Sequence, residues 1–301
     1  MIGKGNDCLF PLYLPIPGYS EKLRVRCSHC INCKIHRAQE WCLRLEMESK
    51  YWQDCCFVTL TYNDENLPRH IIDGHLFYTD EEIKEHPELS YIYEPTLHDK
   101  HLTLFFKRLR KQLESKIRYY AVGEYGTRFG RPHYHMIIFG LSGTVANAQL
   151  IAKCWNYGFV DVRHFFKETC SYIAGYVQKK LYGREKYLFK LPEFMRCSQH
   201  LGEQWLFDHI NEFDNEHPYI NHNGFQYGIP RQFRKILISK GKLEETSLIK
   251  TALLQKKEYV DLCNDLDMKN TTLSEFFRHR QKVAFEKEKR KLNKRNKTGD
   301  I

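Results

Sequence analysis

No apolar run in this 301-residue sequence approaches the roughly 20 residues that a bilayer core requires. The longest, around Cys55–Leu60 and Met136–Leu141, have the length of buried strands. The first twenty residues carry Asp7, Pro11, Pro15 and Pro17 where a secretory leader needs an unbroken apolar stretch, so neither a signal peptide nor a membrane partner is expected. A Gly-x-x-x-x-Gly-Lys-Ser/Thr phosphate loop is missing too, which disfavours an ATP-driven motor. The Gly-x-Ser-x-Gly elbow and the His-Glu-x-x-His pair are absent as well, which disfavours common hydrolases and metalloproteases. No internal repeat and no Gly/Ser linker divides the chain.

What is present points to a globular chain with a polyanionic partner. Hydrophobic residues make up 42% of the sequence, enough to bury a core and to exclude wholesale disorder. Lysine and arginine number 47 against 37 aspartates and glutamates, leaving a net charge of +10 that favours nucleic acid. Eight basic residues between Lys282 and Lys297 face only Glu286 and Glu288. The eleven cysteines, an odd number with one tight cluster, suit a reducing, cytoplasmic compartment and metal ligation rather than a disulfide framework.

Pattern changes suggest three regions: 1–54, cysteine-rich and ending in a first helix over 36–52; 55–190, a mixed core; and 191–301, mainly helical with the basic tail. Within the core, Cys56–Tyr62 reads as a strand, and an acidic stretch over 64–95 as a surface insertion. Thr96 is the expected cap of a helix carrying Leu102, Phe105, Phe106 and Leu109. Strands over 117–124 and 133–139 follow, joined through Gly126, Gly130 and Pro132, then a helix over 145–155, a strand over 159–163 and a helix over 169–181. This order predicts an α+β fold, a central antiparallel sheet with helices of ferredoxin-like or RNA-recognition-like type. Thr272 and Glu275 predict a capping box for the last helix.

Three constellations carry chemistry. His133 and His135 stand two apart on one strand, so both imidazoles address one face. Glu124, at the end of the preceding strand, can bring a carboxylate to the same point and complete a two-His, one-carboxylate metal site with open positions. Tyr172 and Tyr176, one helical turn apart, share a face with Lys179 close by; they are nucleophile candidates, or else core residues with hydroxyls at the rim. Cys27, Cys30 and Cys33 recur every three residues as soft ligands suited to Zn²⁺, with Cys8 or His36 as the fourth and His29 competing. Arg128 and Arg131 in the hairpin are candidate phosphate contacts, as are Lys107, Arg108, Arg110 and Lys111 on a helix face that is otherwise simply solvated.

Taken in order, Phe57-Val58-Thr59-Leu60-Thr61, His133-Tyr134-His135 with Glu124 upstream, and Tyr172-x-x-x-Tyr176 resemble the three motifs of HUH endonucleases, metal-dependent rolling-circle nickases. More narrowly, the chain resembles the replication initiation proteins of small single-stranded-DNA bacteriophages, the microviruses of gokushovirus type. Cys27-Ser28-His29-Cys30-Ile31-Asn32-Cys33 ahead of a Trp41-containing helix, the run Tyr172–Lys180 and Pro230-Arg231-Gln232-Phe233 carry that likeness over about residues 1–240. Tyr134 departs from the pattern, which favours an aliphatic residue between the histidines.

The resemblance implies that Glu124, His133 and His135 hold Mg²⁺ or Mn²⁺ against a scissile phosphate in single-stranded origin DNA. Tyr172 or Tyr176 then attacks, with Lys179 or Lys180 assisting. The product is a 5′-phosphotyrosine link and a free 3′-hydroxyl, and the ends are later rejoined. Host DNA polymerase and helicase are the implied partners, in the cytoplasm of a bacterial host. Two other readings compete: a relaxase or transposase using the same chemistry, and a non-catalytic, zinc-stabilised nucleic-acid-binding protein whose histidines and tyrosines serve packing and stacking.

Overall fold

The computed structural model describes residues 8–70, 85, 94–126, 130–179, 190–217, 219–244 and 248–297. In chain order the elements begin with β1 (Leu12–Pro15), β2 (Lys22–Val25), α1 (Ile31–Ser49), β3 (Cys55–Tyr62), β4 (Arg69–His70) and β5 (Glu94–Pro95). There follow α2 (Asp99–Gln112), β6 (Arg118–Tyr125), β7 (Pro132–Phe139), α3 (Val145–Cys154), β8 (Gly158–His164) and α4 (Lys167–Lys179). The chain continues through β9 (Phe194–Cys197), α5 (Glu203–Asp208), β10 (Tyr219–His222), β11 (Phe225–Gly228), α6 (Arg231–Ser239), α7 (Leu248–Met268) and α8 (Leu273–Lys297). It divides into two compact units, Ala38–Ile210 and a second made of Met1–Arg37 with Asn211–Ile301.

The first unit is built on a five-stranded antiparallel sheet in the order β8-β3-β7-β6-β9. Period-two alternation sorts each strand's side chains to two faces. On one face Val58, Leu60 and Tyr62 of β3 and Tyr134, Met136 and Ile138 of β7 pack with Leu102, Phe105 and Leu109 of α2 and Ile151 of α3. On the other, Phe57, Tyr120, Val122, Ile137 and Phe139 pack with Leu45 of α1 and with Cys170 and Ile173 of α4. The expected α+β architecture with a central antiparallel sheet is the one observed.

Several local details differ from the sequence expectation. Helix α1 begins at Ile31 rather than at 36, so Cys33 already sits inside it. Thr96 does not cap α2, whose N-cap is His98 with no side-chain cap bond. The Thr96 hydroxyl is committed elsewhere, accepting the Leu191 N–H at 2.9 Å, and a hydroxyl so bound has nothing left for a helix start. Thr144, by contrast, does cap α3. Strand β9, from the stretch expected to be mainly helical, pairs with β6 and closes that edge of the sheet. Most of the acidic insertion lies outside the described residues.

In the second unit β1 and β2 form one antiparallel hairpin and β10 and β11 another. The β10–β11 turn is Asn223-Gly224, both at positive φ, the two-residue solution whose twist matches the strands. Gln255 of α7 accepts from the Arg24 N–H and donates to the Arg24 carbonyl, pairing with β2 as a neighbouring strand would. The Pro230-Arg231-Gln232-Phe233 motif starts α6, with Phe233 fully buried. The expected capping box of α8 is formed: Glu275 N–H donates to the Thr272 hydroxyl, and Thr272 N–H to the Glu275 carboxylate. Among the described residues no helix is long and apolar enough to cross a membrane.

Candidate active site

Strand register assembles the site. Across β3 and β7, Thr59 faces His135 and Thr61 faces His133; across β7 and β6, His133 faces Glu124 and His135 faces Val122. All five polar side chains therefore belong to the sheet face that carries α1 and α4. Tyr134 lies between the two histidines in sequence and turns to the other face, where it is fully buried. Its hydroxyl bonds the Tyr62 hydroxyl at 2.8 Å, accepts the His98 N–H at 2.8 Å and donates to the His98 carbonyl at 2.9 Å. An aromatic residue at this position thus serves as a core anchor that leaves the histidine face unchanged.

The two imidazoles are held from behind. Thr59 Oγ1 lies 3.1 Å from His135 Nδ1 and Thr61 Oγ1 lies 3.1 Å from His133 Nδ1. With Nδ1 engaged on each ring, Nε2 is the nitrogen left for chemistry. Nε2 of His135 donates to Glu124 Oε1 at 2.9 Å, in a pair that is buried on both sides. The two histidine rings lie 6.3 Å apart, and Phe57 stacks on His135 at 5.8 Å with planes 9° apart. Sequence reasoning quoted the threonines as part of a motif without giving them a task. The signal was there: Thr-x-Thr on one strand mirrors His-x-His on the next.

Gly126 is a further residue whose role the sequence did not show. A Cβ on it would stand 2.9 Å from His133 Nε2, so its bareness keeps open the space in front of that nitrogen. The hairpin closes through Gly126 N–H to the Arg131 carbonyl at 2.8 Å and Gly130 N–H to the Gly126 carbonyl at 3.0 Å, with Gly130 at φ +64°. The Arg131 guanidinium donates to Asp64 at 2.6 Å and to the Tyr62 carbonyl at 2.9 Å, tying the hairpin to the end of β3. Arg128 lies outside the described residues. On α2, Arg108 donates to the Cys154 carbonyl at 2.7 Å and Arg110 covers the Phe106 and Tyr119 rings, so these cations take part in packing.

Helix α4 places Tyr172 over the same sheet face. Its ring meets His135 edge-on at 6.2 Å and Phe57 at 5.8 Å, half-buried. The side chains of Tyr176 and Lys179 and the whole of Lys180 lie outside the described residues. The donor set of two imidazoles and one carboxylate fits a divalent ion with open positions, and the Glu124–His135 bond marks where the carboxylate and a ring nitrogen already meet. Glu124, His133 and His135 do not, however, draw together as tightly as the cysteines of the other unit. Cys8, Cys27, Cys30 and Cys33 form the group among the described residues whose ligand atoms all lie within 4.8 Å of one another. Cys8 is therefore the fourth member. His36 and His29 are not part of the group, and burial beside Arg26 holds the His36 pKa down at about 4.

Comparison with known proteins bears on this arrangement. Residues 55–181, which hold β3, the histidine pair and α4, match the family model of ORF2-type replication-associated proteins. The chain is a relative of phage replication-associated proteins. It is 28% identical over 236 residues to replication-associated protein ORF4 of Chlamydia phage 1, covering 70% of this chain and 53% of that protein. Replication-associated protein ORF2 of Spiroplasma virus 4 is 30% identical over 207 residues, covering 61% and 57%. Replication-associated protein VP4 of Bdellovibrio phage phiMH2K is 26% identical over 231 residues, covering 69% and 65%. The matches thus span between about half and two thirds of these relatives' lengths. No solved structure is significantly similar.

Proposed function

We propose that this protein is a tyrosine-dependent, metal-assisted DNA nickase of HUH type that initiates rolling-circle replication of a small phage genome, of the microvirus kind. The observation that carries this reading is the meeting of Tyr172 with His135 at 6.2 Å, on a face where threonine-held histidines and Glu124 converge. A nucleophile on a helix and a metal-type donor set on strands is the arrangement that phosphoryl transfer to tyrosine needs.

Glu124, His133 and His135 would hold Mg²⁺ or Mn²⁺, which supplies polarisation of the scissile phosphate. The chain's own part is positioning. Thr59 and Thr61 fix the ring orientations, and Gly126 leaves room for the phosphate in front of His133. Tyr172, or Tyr176 one turn on, forms a bond from its phenolic oxygen to phosphorus while the bond to the 3′ oxygen breaks. That oxygen leaves with a proton as a 3′-hydroxyl, and the 5′ end stays on the tyrosine. Lys179 and Lys180 offset the developing charge, and Arg128 and Arg131 contact flanking phosphates. The second tyrosine cuts and rejoins at the end of a round. Host polymerase extends the 3′-hydroxyl and a host helicase unwinds the duplex, in the bacterial cytoplasm.

The test is a denaturing gel of purified protein with single-stranded fragments of its own replicon, in Mn²⁺, Mg²⁺ or chelator. The expected outcome is a metal-dependent covalent adduct that survives Tyr172→Phe and Tyr176→Phe singly and vanishes in the double variant. Binding without any adduct would instead favour a non-catalytic nucleic-acid-binding protein.

A further inference from the structure

We infer that Cys8, Cys27, Cys30 and Cys33 form a mononuclear tetrathiolate zinc site that fastens the segment around Cys8 to the start of α1. The distances decide the occupant. A tetrahedral ion with metal–sulfur bonds of about 2.3 Å sets its ligands roughly 3.8 Å apart. Cys27 and Cys33 sulfurs lie 3.9 Å apart, those of Cys30 and Cys8 lie 4.0 Å apart, and all four stay within 4.8 Å of one another. A disulfide would need sulfurs about 2.05 Å apart. In a multi-iron cluster the thiolates bind different iron atoms and spread further than this.

The backbone is arranged for thiolates. Cys27 N–H points at Cys8 Sγ at 3.2 Å, Cys30 N–H at Cys27 Sγ at 3.3 Å, and Leu9 N–H at Cys30 Sγ at 3.4 Å. Such donors offset the negative charge that four thiolates leave around a dipositive ion. The turn that brings Cys27 and Cys30 together holds Ser28 at φ +63°, a left-handed conformation that a non-glycine residue keeps only where the surroundings enforce it. Cys33 then projects from the first turn of α1, and Cys8 reaches back over nineteen residues from Cys27. With four protein sulfurs the shell is closed, so the site is structural and leaves no position for substrate. On binding, each thiol gives up its proton to solvent and no electron is transferred. The inference stands apart from the nuclease reading.

The experiment uses the full chain, purified without chelator and also refolded with Zn²⁺ or Co²⁺. Elemental analysis should find about one zinc per chain, and the Co²⁺ form should show the intense visible and sulfur-to-metal bands of a tetrahedral tetrathiolate. Removal of the metal should abolish hydrogen-exchange protection over 27–36. Cys8→Ser should lower zinc affinity at least tenfold, whereas His36→Asn and His29→Asn should leave stoichiometry and spectrum intact. The proposal is overturned by failure to take up zinc, by one equivalent of iron, by a chain four hydrogens lighter from two disulfides, or by an unchanged cobalt spectrum in Cys8→Ser.

Discussion

The hydroxyl of Thr59 and Nδ1 of His135 lie 3.1 Å apart across β3 and β7, and Thr61 repeats the contact with His133 at the same distance. A hydrogen bond to Nδ1 fixes both the tautomer and the ring plane, and such supporting bonds are worth about 10- to 100-fold in metal affinity or activity. Thr59→Val and Thr61→Val keep the β-branched shape. They are expected to lower Mn²⁺-dependent adduct formation by about that factor, with more metal needed for half-maximal rate, while the melting temperature moves little. Metal titrations of the gel assay, run beside thermal melts, check this.

Gly126 supplies a second test. Its missing Cβ is what keeps 2.9 Å of approach free at His133 Nε2. Gly126→Ala forces the ring or the hairpin to shift, and misplacement of an attacking geometry by about 1 Å costs on the order of 100-fold in rate. Adduct formation should fall by about 10- to 100-fold with circular dichroism unchanged. Wild-type rates in this variant would remove Gly126 from the site.

Tyr134→Phe addresses the opposite face of the sheet. The variant deletes a hydroxyl that partners the Tyr62 hydroxyl and both backbone groups of His98, leaving the latter buried without it. Stability should drop by about 1–3 kcal/mol in urea unfolding. Metal dependence of nicking should stay as in wild type, because the histidines point the other way.

Acid should destabilise the protein through the stack beside α2. The His98 and His101 rings stack at 3.9 Å, Tyr157 lies on His101 at 4.1 Å, and Arg108 covers Tyr157. Burial, aided by His98 and Arg108, holds the His101 pKa down at about 3, and burial lowers that of His98 as well. An unfolded histidine takes its proton near pH 6.5. The unfolded state therefore binds more protons between about pH 6.5 and 3, and stability falls as pH drops through that window. Above pH 6.5 both states are neutral at these rings and the term vanishes. His101→Asn should flatten the slope of unfolding free energy against pH across this window, whatever its effect at pH 8.

Much of the site could be read from spacing, because a strand's alternation is local geometry. His133 and His135 had to share one face and Tyr134 the other, and a helix had to set Tyr172 and Tyr176 on one side. The capping box of α8 was legible for the same reason, as its bonds span three residues. The Asn223-Gly224 hairpin carried an equally local signal, although the surrounding stretch reads as mainly helical.

Tertiary structure decided what depends on partners distant in the chain. Thr59 and Thr61 acquire their task only through the register of β3 on β7, seventy-odd residues apart. Thr96 lost its expected cap because its hydroxyl met Leu191, and β9 joined the sheet because β6 offered an open edge. The choice of Cys8 over His36 rests on a chain reversal that brings residue 8 against residue 27. Sequence determined which side chains exist and which face of their own element they occupy. Hydrogen-bond register and chain reversal decided which of them meet, since those contacts trade loop entropy for long-range pairing that no local pattern records.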